Sequence, residues 1–204
     1  METRDKILET AFLLYLDKGF TNVSMNDLLK EAGITKGGFY YYFESKDVLL
    51  AEVMNKYLFS YYDEIIAYIN HYKGSPGEKL RMLFFSIPGL YSDSVKVDNQ
   101  HRNNKVIDYR SFYLLLMDGV HKYGVIRNYY EEFHVKLLKI IRQIMEECKE
   151  KEIIPGDADL DEMSRFILAC VEGTIVLSVV VPDIPLEETM TSNYNYACKC
   201  LGIE

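Results

Sequence analysis

The sequence has no tryptophan, only four cysteines and only five prolines in 204 residues. Thiols at 148, 170, 198 and 200 are too few for a disulfide scaffold in a chain of this length. Cys198-x-Cys200 is one residue short of C-x-x-C, so zinc and redox motifs are not indicated, and the four read as reduced helical filler. Five prolines and twelve glycines exclude collagen-like and low-complexity classes. Positive charge is not in excess: 23 Lys and Arg against 31 Asp and Glu leave a net charge of −8. That argues for an acidic, soluble, cytoplasmic protein, although a basic footprint for nucleic acid need only be local. Long apolar runs are also missing. The most apolar stretch, residues 167–181, is shorter than a membrane span and contains Glu172, so no membrane partner is expected. Residues 1–6 are too charged to open a signal peptide.

What is present is 49% hydrophobic and 26% charged, an ordinary globular composition with a length suited to one or two domains. Apolar positions recur at helical spacing throughout, and no period-2 stretch is long enough to build a sheet. An all-α chain is expected, with breaks at Gly19, Gly33, residues 74–77, 88–89, 92–104, 119–124, 155–157 and 182–185.

The first 50 residues are the most legible. Ile7, Leu8, Ala11, Phe12 and Tyr15 form one helix face, and Gly19-Phe20 reads as its stop. Ser24 suits an N-cap, with Asp27 completing an S-x-x-D box and Val23 stapling onto Leu28. Gly33 ends that short helix. Thr35 caps the next, with Ile34 placed to pack on Phe39, and Ser45 caps a fourth. Two short helices joined by a tight turn and buttressed by a longer one have the layout of a helix-turn-helix.

In the third helix, Phe39 and Phe43 share a face and can dock it on the first two. Tyr40, Tyr41 and Tyr42 point elsewhere, and Lys36 shares the side of Tyr40. Gly37 and Gly38 each cost about 1 kcal/mol relative to alanine in a helix, and packing gives no reason for them. Close approach of the backbone to a phosphate or base edge does. Tyrosine hydroxyls can bond phosphates, their rings can meet thymine methyls, and Lys46 adds a phosphate partner. With 17 tyrosines and 10 phenylalanines in the chain, Tyr40–Tyr42 as plain core residues stays an open alternative. Charge does not decide, because residues 1–46 are close to neutral.

The segment SMNDLLKEAGITKGGFYYYFESKDVLL, residues 24–50, resembles the DNA-binding domain of the TetR family of bacterial transcriptional regulators. With the first-helix stripe and Gly19-Phe20, the resemblance covers about residues 5–55. It implies a homodimer that binds a palindromic operator, usually as a repressor, and releases it when a small-molecule effector binds. Carried onto matching positions, DNA contacts fall on Thr35, Lys36, Gly37, Gly38, Tyr40, Tyr41 and Tyr42, with Ser24 and Lys46 holding phosphates. Gly38 departs from the polar residue common in the family, which shifts base reading toward Lys36 and the tyrosines.

The expected organisation is a helix-turn-helix domain over residues 1–46 and a helical effector-binding and dimerisation domain over 47–204. One helix over 46–72 would join them without a linker and act as a lever. Helices near 78–88, 106–118 and 125–151 carry large side chains suited to an apolar pocket: Phe84, Tyr109, Phe112, Tyr113, Met117, Tyr130 and Phe133, with Tyr61. A packed core is the plainer reading of any one of them. The helices over 160–181 and 186–201 suit a four-helix dimer interface through Ile167, Val171, Gly173, Thr174 and Ser178 on one and Met190, Tyr194, Ala197 and Leu201 on the other. Glu131-x-x-His134, Asp118-x-x-His121 and Asp98-x-x-His101 copy the spacing of di-iron helices, but no further inward Glu pair completes a site. A metal-dependent oxidase or a stand-alone ligand-binding protein is the alternative; no enzyme, metal or cofactor is expected.

Overall fold

Helix-end chemistry sets the first four helices: α1 (Thr3–Lys18), α2 (Met25–Ala32), α3 (Lys36–Tyr42) and α4 (Lys46–Met54). These are read from a computed structural model that describes residues 3–90 and 109–203; the side chains of Leu58, Tyr109, Ser111 and Phe112 also lie outside the description. Ile7, Leu8, Ala11, Phe12 and Tyr15 are the buried face of α1. That helix stops at Gly19, where a φ of 77° favours glycine, and Phe20 behind it is fully buried. On α2 the Ser24 hydroxyl accepts from the Asp27 amide at 3.1 Å while Asp27 Oδ2 accepts from the Ser24 amide at 2.8 Å. Gly33 closes α2 in the left-handed region. Thr35 and Ser45 cap α3 and α4, accepting from the amides of Gly38 and Val48 at 3.1 Å each.

The single helix expected over 46–72 is interrupted. A π-helical turn, Asn55–Phe59, separates α4 from α5 (Ser60–His71). Ser60 donates both its amide and its hydroxyl to the Asn55 carbonyl, the latter at 2.8 Å, and so holds the wide turn. The turn lets Tyr57 stack on Phe12 at 4.4 Å and Phe59 on Tyr129 at 3.5 Å.

The remaining helices are α6 (Pro76–Ser86), α7 (Tyr109–Lys122), α8 (Gly124–Glu150), α9 (Leu160–Val180) and α10 (Leu186–Leu201). Among the described residues there is no strand. The break expected over 119–124 falls at residue 123, between α7 and α8, so Gly119 itself stays helical. It lies inside α7, where a Cβ would stand 2.8 Å from Phe20 Cε2 and 2.9 Å from Ile126 Cδ1, so glycine serves close approach there. The segment 92–104, with Asp98 and His101, and the expected helix start at 106 lie outside the described residues.

Contacts group the chain into two compact units. The first comprises Met1–Tyr61 with Ser111–Glu131. Its core joins Phe20, Leu28, Phe39, Phe43, Leu49 and Val53, and α4 packs on α1 with the Arg4–Glu52 and Lys56–Asp5 ion pairs at the rim. The second comprises Tyr62–Arg110 with Glu132–Glu204. In it α6 is buried almost throughout. α9 and α10 pack along each other, and Asn193 Nδ2 donates to Thr174 Oγ1 at 2.7 Å. The sequence division after residue 46 leaves α4 with the second domain, whereas contacts place it in the first unit.

Candidate nucleic-acid interface

The short helix α3 is anchored by two rings and free on its other side. Phe39 and Phe43 are 0% and 1% exposed, with centroids 5.8 Å apart, and the Arg4 guanidinium lies over Phe43 at 5.2 Å. These anchors belong to the first unit's core. Tyr40 and Tyr41 are 49% and 81% exposed. Their orientation is nevertheless restrained, Tyr40 edge-on to Phe39 at 5.4 Å and Tyr41 edge-on to Tyr42 at 4.9 Å. Tyr42 is half-buried and supports its neighbour, unlike the other two. Thr35 and Lys36 are exposed.

Neither glycine is required by the fold. Gly37 has nothing within 4 Å of a would-be Cβ, and at Gly38 the nearest atom, Thr35 Oγ1, is at an ordinary 3.4 Å. Both stand in helical backbone that any residue adopts. The internal cost of two helical glycines therefore has no internal compensation, and the surface they leave bare faces outward.

Two expected phosphate contacts have structural work of their own. Ser24 is exposed, and its hydroxyl both accepts from the Asp27 amide and donates to Asp27 Oδ2 at 2.6 Å. Lys46 turns inward: its ammonium donates to the carbonyls of Val23 and, at 3.2 Å, of Phe20. Partial burial moves its pKa down from the ordinary lysine value. The clamp ties α4 to the turn between α1 and α2. No sequence motif signals it, because both acceptors are main-chain carbonyls.

The expected pocket residues divide between the two units. Tyr61, Tyr113, Met117 and Tyr130 belong to the first unit, and Phe84 and Phe133 to the second. Phe84 is fully buried edge-on to Tyr194 at 5.5 Å, and Phe133 stacks on Tyr62 at 4.3 Å. The side chains of Tyr109 and Phe112 lie outside the description. A cavity of about 600 Å³ in the second unit lies instead over Ile66, Ile69, Ile140 and Ile144, rimmed by Lys79, Lys139, Glu147 and Glu150. A second, of about 390 Å³ in the first unit, lies between the end of α1 and α7. None of the expected lining residues borders either one.

The expected dimer stripes need correction. Ile167, Val171, Thr174, Ser178, Met190 and Ala197 are at most 1% exposed within a single chain, so they cannot form a contact surface. Tyr194 is held inside by its hydroxyl, which donates to the Gly77 carbonyl at 3.1 Å, and Leu201 is half-buried. Of that set only Gly173 stands on the outer side, with open space at its Cβ. The outward stripe of α9 is Phe166, Ala169, Gly173, Val176, Leu177 and Val180, an uncharged arc about 100° wide at 3.6 residues per turn. Phe166, Leu177 and Val180 are 43%, 48% and 70% exposed. With both faces apolar, α9 is long and apolar enough to cross a membrane by length and composition, which the shorter stretch counted from sequence did not register.

His134 pairs with Glu172 at 3.1 Å rather than with Glu131, which is exposed. Among the described residues no group of three or more His, Cys, Asp or Glu could hold a metal ion.

Residues 7–53 match the family model of bacterial regulatory proteins, tetR family. Over 58 residues the chain is 43% identical to the HTH-type transcriptional regulator YuxN of Bacillus subtilis, a stretch covering 28% of this chain but 20% of that protein. It is 27% identical over 167 residues to the HTH-type transcriptional repressor KstR2 of Mycolicibacterium smegmatis, covering 80% of this chain and 73% of KstR2. Among solved structures, a transcriptional regulator from Saccharomonospora viridis in complex with choline superposes with a TM-score of 0.71 at 19% identity, covering 95% of this chain and 94% of that one. The chain thus spans a small share of the first of these relatives, and the structural likeness speaks for the fold.

Proposed function

We propose that this chain, whose residues 7–53 match the family model of bacterial regulatory proteins, tetR family, is a ligand-responsive transcriptional regulator acting as a cytoplasmic homodimer on a palindromic operator. The observation that carries this reading is the pair of exposed, ring-braced tyrosines beside two glycines that the fold itself does not need. Thr35, Lys36, Tyr40 and Tyr41 form the contact surface, Gly37 and Gly38 let the backbone come close, and Tyr42 braces Tyr41. Ser24 and Lys46, whose ammonium has a third donor beyond its two carbonyl partners, meet phosphates.

The second copy covers the outward stripe of α9. Such an arc is uncharged, contiguous and exposed, and apolar patches of that kind mark association surfaces. Two α9 and two α10 helices then form a four-helix interface, and the hydropathy of α9 follows from having a partner on each face. Repression as the default output follows the likeness to KstR2, which is a repressor. A small-molecule effector follows the likeness to the regulator solved with choline. The aromatic and sulfur side chains expected to line its pocket remain the proposed set where they are not sealed in the core, namely Tyr61, Tyr113, Met117 and Tyr130.

Selection of bound sequences from random duplex DNA by the purified chain tests the reading. A two-fold symmetric site whose half-sites lie about one helical turn, 34–36 Å, apart is expected. Recovery of no enriched sequence would overturn it.

A further inference from the structure

The side chains that α3 exposes restrict the bases it can read. Adenine is read best by Asn or Gln, cytosine by Asp or Glu, and guanine by Arg or Lys. α3 is Lys-Gly-Gly-Phe-Tyr-Tyr-Tyr, so it has no amide, no carboxylate and no arginine to offer. What it does offer outward is one ammonium, at Lys36, and two rings, at Tyr40 and Tyr41. The rings are held edge-on to Phe39 and Tyr42, so they meet a partner without first being ordered. Gly37 lies one turn before Tyr41 and has open space where a side chain would stand, which clears the approach to that ring.

Resting on the DNA-binding reading above, we infer that each operator half-site is recognised through one guanine and neighbouring thymines. Lys36 Nζ donates to guanine O6 and N7 in the major groove. The rings of Tyr40 and Tyr41 lie against thymine 5-methyl groups, their hydroxyls free for phosphate oxygens. Lys36 and Tyr40 are four residues apart on one face, about 6 Å along the helix at 1.5 Å per residue. With base pairs about 3.4 Å apart, the guanine and the first thymine fall within two base pairs of each other. The remaining positions of the half-site are read through the shape of the duplex.

The experiment uses the full chain and the duplex recovered by selection, with affinity measured by fluorescence anisotropy. Replacing half-site thymines by uracil removes only the methyl groups, and replacing the guanine by 7-deazaguanine removes only N7. Each change is expected to weaken wild-type binding at least about fivefold. The uracil effect should vanish in the Tyr40→Ala/Tyr41→Ala variant but persist in Tyr41→Phe, and the 7-deazaguanine effect should vanish in Lys36→Ala. Thermal melting checks that the variants are folded, and the wild-type measurements stand without them. Wild-type binding indifferent to both replacements, on a duplex that was selected, would overturn the inference and leave the DNA-binding reading intact. Failure to select any duplex would overturn that reading first.

Discussion

Phe39 and Tyr41 stand two residues apart on the same short helix and do opposite things. Phe39 is sealed in the first unit's core, and Tyr41 is 81% exposed. Phe39→Ala should therefore destabilise the chain by about 3–5 kcal/mol, as for a buried aromatic, with melting as the readout. Tyr41→Ala should leave the melting temperature unchanged and cost roughly 1–3 kcal/mol of operator affinity. The contrast was legible in the sequence because helical spacing separates position 39 from 41 by about 200°. The role of Lys46 was not legible, since its acceptors are the carbonyls of Phe20 and Val23. Lys46→Met should lower stability by about 1–3 kcal/mol, the scale of charge-assisted bonds left unmade, and flatten the salt dependence of DNA binding by about one unit of slope per chain. A stability loss with an unchanged slope would make it a clamp alone. Tyr15 is a quieter case: it is fully buried, its hydroxyl has no hydrogen-bond partner among the described residues, and burial pushes its pKa up. Tyr15→Phe removes a polar group without a partner, so the melting temperature should hold or rise. A fall would reveal a bond made through solvent.

At the scale of elements, the helix starts obey local rules and were readable one by one. Ser24 with Asp27 and Ser75 with Glu78 form complete capping boxes, and hydrogen bonds from the serines hold both carboxyls below their usual pKa values. A carboxyl whose folded pKa is depressed stabilises the fold at neutral pH and loses that contribution as pH falls through the folded value. Asp27→Asn and Glu78→Gln should accordingly lower the melting temperature at pH 7, and the gap from wild type should close as pH falls through the depressed folded values. A gap independent of pH would remove the carboxylate charge from the account. Tertiary decisions were less readable. The π turn at 55–59 depends on Ser60 reaching back to Asn55 and on stacking partners as distant in sequence as Phe12 and Tyr129. On α9 the periodicity offers two apolar stripes with no charged residue between Phe166 and Cys170 or between Gly173 and Val181 to tell inside from outside. The inner one was decided by packing on α10 and the Asn193–Thr174 bond, so the sequence reading chose the stripe already used by the chain's own core. Phe84 and Phe133, read as pocket residues, fared similarly, because a large aromatic at helical spacing looks the same whether it lines a cavity or fills one.

At the scale of the whole molecule, the account requires two chains. With Val176 and Val180 40% and 70% exposed, Val176→Asp/Val180→Asp should leave each chain folded and shift sedimentation from dimer to monomer. Ile167→Asp, which buries a charge in the core, should instead unfold it. A dimer that survives the outward pair would place the interface elsewhere. The net charge of −8 sets a further condition. Attraction to DNA has to come from a few cations and from ring and hydroxyl contacts, so affinity should fall with salt by only a few units of slope, at about 0.9 per neutralised phosphate. The most direct measurement of the central claim is a titration of the selected duplex with wild type and with Lys36→Ala/Tyr41→Ala, both shown by melting to be equally stable. The account predicts at least about a tenfold loss of affinity in the variant, the scale of two lost contacts of 1–3 kcal/mol each. Equal affinity of the two proteins would contradict it, because DNA would then be held by some surface other than α3.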